Sequence, residues 1–163
     1  MNGLLLTMDS KVHEGPGIPV HPPVVYLAAL LIGVGLDYLW PISPVPDRWP
    51  EVAGIVVIAA GIASMPLVLW RFHRAGTTFD ARKPASALIV DGPYRFSRNP
   101  AYVAMTLWYL GIGLILDNGW ISLLVLPLLV IMDRWVVPKE ERHLEAKFGE
   151  EYVQYRAKVR RWL

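Results

Sequence analysis

The chain has 163 residues, 54% of them apolar, a mean hydropathy of +0.36 and a formal net charge of only +2. Apolarity on that scale places it in the membrane class, and the net charge is too small to suggest nucleic acid as a partner. Cysteine is absent, which excludes disulfides, thiolate metal ligands and a cysteine nucleophile.

In chain order, Met1 to His21 is rich in Gly and Pro and reads as a flexible lead-in to a single membrane-embedded domain over residues 22–163. Met1 to Leu6 is too short, and lacks the basic start, for a cleaved signal peptide. Four apolar runs follow: Val24 to Trp40, Glu51 to Trp70, Ala101 to Leu116 and Trp120 to Val137. A helix crosses the hydrocarbon in about 20 residues, with about 17 sufficient, so the runs predict about four spans, the third one short. Trp and Tyr sit mostly beside these runs, as interfacial anchors do. Prolines between Pro41 and Pro46 end the first helix and make residues 22–70 a helical hairpin. Asp117, Asn118 and Gly119 turn the chain between spans three and four. Ala29 with Gly33, and Ala60 with Ser64, place small residues at helix spacing for a close approach of the first two spans. Gly33 with Gly35, and Gly111 with Gly113, are spaced like a phosphate-binding loop but lie inside apolar spans, where they read as packing glycines. The expected class is therefore all-α, a polytopic membrane protein that ends in a C-terminal amphipathic helix.

Of sixteen Lys and Arg, six fall between Arg71 and Arg98 and seven between Lys139 and Arg161, whereas the two short turns hold only Arg48. By the positive-inside rule the long loop and the tail are cytoplasmic, and an even number of spans puts the N-terminus there too.

The chemistry is concentrated in two clusters at that face. Asn99 and Pro100 open span three as N-cap and first helical residue, and with Arg95 and Arg98 beside them they make a carboxylate site. The same arginines also suit lipid phosphates or a topology signal. After span four, Pro138 starts a tail helix whose Glu140 and Glu141 lie on the side of Arg95 and Arg98. A zwitterionic amino-acid head group needs a cation for its carboxylate and an anion for its ammonium, which these clusters supply. A solvated face is the alternative for both glutamates, and is preferred for Glu145, Glu150 and Glu151. His13, His21, His73 and His143 have no ligand spacing, so no metal site is expected, and His143 is assigned to the outer face of the tail helix.

Gly92-Pro-Tyr-Arg-x-x-Arg-Asn-Pro-x-Tyr102, then Glu140 and Glu141, then Phe148-Gly-Glu-Glu-Tyr-x-x-Tyr155 resemble the isoprenylcysteine carboxyl methyltransferase and phospholipid methyltransferase superfamily. The resemblance covers Leu88 to Leu163, the cofactor-binding half. It implies S-adenosylmethionine as methyl donor, held by Gly92, Tyr94, Arg95, Arg98, Asn99, Pro100, Tyr102, Glu140 and Glu141, with Arg98 and Glu141 as the catalytic residues. It also implies a lipophilic acceptor drawn from the bilayer, such as an isoprenylcysteine carboxylate, a phospholipid amine or a small hydrophobic thiol. Tyr94, Tyr102, Tyr152 and Tyr155 are candidates to line the pocket, with helix packing the alternative for Tyr102. Asn99 stands where the superfamily usually has histidine, and Ala104 where it usually has glycine; an amide hydrogen-bonds but moves no proton. Two other classes remain in play: a non-catalytic member of the fold, separated by cofactor binding, and a sterol-reductase-like oxidoreductase, which would bind a reduced nicotinamide.

The topology has a direct check: single cysteines introduced at Ser43 and Ser86 should react with a membrane-impermeant reagent from opposite sides. Labelling of both from the outside would refute it.

Overall fold

The computed structural model describes residues 16–43, 49–77, 80, 83 and 85–163. Most of the expected lead-in (1–15) and the centre of the first turn (44–48) lie outside the described residues. The elements in order are α1 (Pro22–Leu39), α2 (Trp49–Arg74), a 3-10 turn (Gly92–Arg95), α3 (Pro100–Ile115), α4 (Gly119–Ile131), a π turn (Met132–Val136), α5 (Val137–Phe148) and α6 (Glu150–Lys158). Among the described residues there is no strand, and the protein is an all-α polytopic membrane protein.

The membrane assignment rests on which apolar side chains stay outside the packed bundle. Along α1, Val24, Leu27, Leu31, Val34 and Tyr38 recur at three- and four-residue intervals and are all exposed. Val52, Ile55, Ile62 and Leu69, spaced three and then seven residues apart, form a like exposed stripe on α2. An outward apolar stripe of that length is stable only against lipid tails. Three stretches are long and apolar enough to cross a bilayer: Pro22–Leu39, Pro50–Arg74 and Gly119–Phe148. At 16 residues, α3 is shorter, about 24 Å at 1.5 Å per residue against a hydrocarbon core of about 30 Å. It is the central helix, packed between α2 and α4, with Ala101, Tyr102, Ala104, Met105, Tyr109, Gly111 and Gly113 buried.

The small residues set which helices meet. Gly54 and Gly61 lie seven residues apart on the buried face of α2, opposite Gly111 and Ala104, seven apart on α3. A Cβ added at Gly54 would lie 2.8 Å from the Gly111 carbonyl oxygen, and one at Gly61 would lie 3.0 Å from that of Ala104. These antiparallel backbones are therefore in near contact, as small residues permit. Gly33 is also a packing glycine, but against Ile121 of α4, because α1 packs on α4 while α2 packs on α3. The close approach expected between the first two spans is not made: each packs on a different partner, and on α2 it is Gly54 and Gly61, not the exposed Ala60 with Ser64, that form the contact. Gly113 packs against Ile121 as well, whereas Gly35 faces open space.

At the far end, Asp117 takes a positive φ of 50° and the Asn118 side chain caps α4 by accepting the Ile121 amide at 2.9 Å. The chain leaving α1 docks on this turn through Gly119 N–H to the Ile42 carbonyl (2.6 Å) and the Trp120 indole to the Trp40 carbonyl (2.6 Å).

At the near end the helix that begins at Gly119 does not stop at Pro138. Gly119 to Phe148 is one continuous helical path. The π turn absorbs the proline: the Val137 amide bonds the Met132 carbonyl five residues back, and Pro138, with no N–H, leaves the Asp133 carbonyl to accept from Arg161 at 3.4 Å. The tail helix is therefore a rigid extension of the span, and it bends at Gly149 (φ +54°) into α6. Residues 16–21 are packed against it, with Ile18 buried and the Gly17 carbonyl accepting from Lys139 at 3.2 Å.

Gly111→Ala should lower stability by about 1–3 kcal/mol through overpacking against α2, whereas Gly35→Ala should be neutral or slightly stabilising. Thermal unfolding of the two variants in detergent checks this, and equal midpoints would contradict the α2–α3 contact.

Candidate active site

The basic end of the bundle is organised around one carboxylate. Glu141, 8% exposed, receives Nε and Nη2 of Arg98 on Oε1 at 3.1 and 2.7 Å, and Nε and Nη2 of Arg161 on Oε1 and Oε2 at 3.2 and 2.6 Å. The bond to Glu141 also raises the pKa of Arg161 above the ordinary guanidinium value. The remaining groups bind the segment after α6: Arg98 Nη1 donates to the Arg156 and Val159 carbonyls at 3.1 and 2.9 Å, and the Arg98 amide donates to the Arg160 carbonyl at 2.9 Å. Arg161 Nη1 and the Trp162 indole converge on Asp133 Oδ1 at 3.1 and 2.9 Å. The segment from Val159 to Trp162 is thereby strapped across the ends of α3 and α5.

Asn99 belongs to the same strap. Pro100 is the first residue of α3 as expected, but the Asn99 side chain does not cap the helix; its Nδ2 donates to the Arg161 carbonyl at 2.9 Å. Ser97, 2% exposed, donates to that carbonyl at 3.2 Å and accepts the Asn99 amide at 3.1 Å. The Arg161 carbonyl is so attractive an acceptor that the amide forgoes the cap it is placed to make.

Beside the strap lies a cavity of about 150 Å³. Its polar wall is built by Tyr94, Arg98, Asn99, Tyr102, Glu140 and His143, closed by Tyr152 and Tyr155 from α6. Its apolar wall comes from Pro22, Pro23, Phe72, Leu88, Ile89 and Met105, with His21 and Asp80 at one edge. Neighbouring residues of a helix point about 100° apart, so the two glutamates part ways: Glu141 turns into the arginine cluster and Glu140 into the cavity. Tyr102 donates to Glu140 Oε1 at 2.5 Å, and its carbonyl accepts from Thr106 at 2.8 Å. Thr106 in turn pairs with the Tyr26 hydroxyl of α1 at 2.9 Å. Tyr102 thus both packs and lines the cavity. Tyr155 donates to the Tyr94 carbonyl at 2.8 Å. Burial raises the pKa of Tyr94 and Tyr155 and pushes Tyr152 up to about 12, so all three phenols remain protonated donors at neutral pH.

Gly92, with φ of +60°, and Arg95 stand outside the cavity wall. Gly92 opens the 3-10 turn where a Cβ would strike Arg71, which is paired with Asp91; Arg95 is solvent-exposed. Pro100 and Glu141 are buried behind the wall. His143 corrects the sequence reading. It is not on the outer face but 8% exposed and part of the cavity wall, because α5 continues the span and turns that face inward. Its position three residues after Glu140 was the signal available. Sequence reasoning also missed the strap residues Arg161 and Trp162, which follow no recognisable spacing, and the pair His21 Nε2 to Asp80 Oδ1 at 3.5 Å, whose members are far apart in the chain.

Residues 49–151, more than half of the chain, match the phospholipid methyltransferase family, and the chain belongs to it. It is 38% identical over 72 residues to the protein-S-isoprenylcysteine O-methyltransferase of Schizosaccharomyces pombe, covering 44% of this chain and 30% of that protein. It is 27% identical over 143 residues to protein-S-isoprenylcysteine O-methyltransferase B of Arabidopsis thaliana, covering 82% of this chain and 71% of that one. An uncharacterized protein of Haemophilus influenzae is 39% identical over 62 residues, 38% of this chain and 98% of its own length. The chain therefore spans less than a third of the yeast enzyme but most of the plant one. No solved structure matches it.

Removing one partner from a mostly buried ion cluster strands the others, so Glu141→Ala should destabilise the protein by about 3–5 kcal/mol. Asn99→Ala should cost about 1 kcal/mol through the lost bond to the strap, and Glu150→Ala, at an exposed position, should stay within about 0.5 kcal/mol of the native value. Unfolding curves in detergent rank the three, and a Glu141 variant as stable as the Glu150 one would exclude the carboxylate as the anchor.

Proposed function

We propose that this protein is an S-adenosylmethionine-dependent methyltransferase of the membrane that acts on a lipophilic acceptor: an isoprenylcysteine carboxylate, a phospholipid amine or a small hydrophobic thiol. The observation that carries the reading is the cavity itself, mostly apolar with a polar wall that includes a carboxylate, and built on both clusters of the family motif. The residues suit the cofactor. Glu140 is an acid with Oε1 on Tyr102, and its other oxygen, which takes no bond among the described residues, could receive an ammonium; Asp80 adds negative charge that favours a sulfonium, and the tyrosines and apolar wall suit a flat heterocycle. Bound there, the cofactor supplies an electrophilic methyl group on a positively charged sulfur.

The chain's own contribution is orientation and dryness, since the displacement requires no covalent intermediate. Tyr102 fixes the Glu140 carboxylate, and Tyr152 and Tyr155 cover the cavity from α6. Arg98, part of the wall, and Glu141, behind it, act by holding the strap that closes the site. Pro22, Pro23 and Met105 continue the apolar wall toward the lipid-facing start of α1, which supports entry of the acceptor from the bilayer. The basic residues at this end support a cytoplasmic site with both termini on the same side.

Purified protein titrated with S-adenosylmethionine in a calorimeter should bind it, and Glu140→Gln should weaken that binding about 10- to 100-fold, the order for losing one charge-assisted contact. With methyl-labelled cofactor and a total membrane lipid extract, label should appear in a lipid fraction. Binding of a reduced nicotinamide instead, or of neither cofactor, would end this reading.

A further inference from the structure

Two histidines of the cavity lining have incomplete bonding, His21 at Nδ1 and His143 at Nε2, and His143 is the one that stands beside Glu140. It is 8% exposed, and its Nε2 is buried without a hydrogen-bond partner among the described residues. A buried polar nitrogen is ordinarily paired. It lies three residues after Glu140 on α5, and side chains at that spacing share a helix face with Cβ atoms about 5–6 Å apart.

Of the two arginines that the sequence offers to a ligand carboxylate, Arg95 is exposed outside the cavity wall and Arg98 is committed elsewhere, while Lys83 reaches the cavity only as an exposed side chain. A guanidinium has five N–H donors, and Arg98 spends four of them, on Glu141 twice and on the Arg156 and Val159 carbonyls. An α-amino acid carries its ammonium and its carboxylate on one carbon, so the protein groups that receive them must stand side by side. Glu140 and His143 do.

We propose that His143 binds the carboxylate of the cofactor's amino-acid head group, donating from Nε2–H, while Glu140 takes the adjacent ammonium. The assignment rests on the methyl-donor reading above. It makes His143 a binding residue outside the motif that carries the family resemblance, and it moves carboxylate recognition from Arg98, which holds the strap, to an imidazole on the same helix turn as the acid.

The test uses two ligands on the full chain in detergent: S-adenosylmethionine and its decarboxylated form, which keeps the sulfonium, adenosine and ammonium. By calorimetry, His143→Ala should weaken binding of the first about tenfold or more, the order of one hydrogen bond to a charged group, and leave the second unchanged. His143→Gln, whose amide reaches a similar position, should recover part of the loss. Equal weakening for both ligands would make His143 a packing residue and overturn the proposal, as would unchanged affinity for both. If the variants do not fold, ¹⁵N-imidazole spectra of the native protein decide: a resonance that moves with the carboxylated ligand and not with the decarboxylated one supports the contact, and identical spectra with both refute it. A native chain that binds neither sulfonium overturns the methyl-donor reading itself, and the His143 assignment with it.

Discussion

The Glu141 carboxylate, shared between Arg98 and Arg161, is the interaction on which the working end of this protein depends. One acid joins three parts of the chain: the entry to α3, helix α5, and the segment after α6. Burying three charges is costly unless nearly every hydrogen-bonding position is filled. Here the leftover guanidinium donors go to the Arg156 and Val159 carbonyls and to Asp133. The pair most conspicuous in the sequence thus makes its direct contacts with the chain itself, and Arg98 also forms part of the cavity wall.

The bundle supports this arrangement through a division of labour. The α2–α3 contact is set by glycines that bring backbones together, and the α1–α4 contact by Gly33 against Ile121. Apolar surfaces left over face outward. The long helical path from Gly119 to Phe148 carries its geometry through a π turn, so the orientation of Glu140 and His143 is inherited from the apolar helix before them.

Much of this was legible. Hydropathy located the helices, proline and asparagine located their starts, and the two clusters were read as meeting at one face. What escaped has physical reasons. Adjacent glutamates look equivalent in a sequence, and only the helix phase, fixed by an unbroken path from Gly119, separates the one in the cavity from the one in the ion cluster. Asn99 was placed at the right position with the wrong bond, because the competing acceptor lies some sixty residues away. The pairing of helices was misassigned to neighbours in sequence, although matching seven-residue spacings of small residues on α2 and α3 recorded the true partners.

The two ion clusters differ in their access to water, and ionic strength acts on them unequally. Arg98 and Glu141 expose 11% of each side chain, whereas Arg156 and Glu145, which clip α6 to α5, each expose 39%. Mobile ions screen charges that water reaches, with a Debye length of about 3 Å at 1 M against about 8 Å at 0.15 M, and scarcely touch those it does not. Concentrated salt therefore loosens the outer clip first and leaves α6 held by the Tyr155 hydroxyl and the buried Tyr152 ring. The lid of the cavity and its floor thus answer to different properties of the surrounding solution.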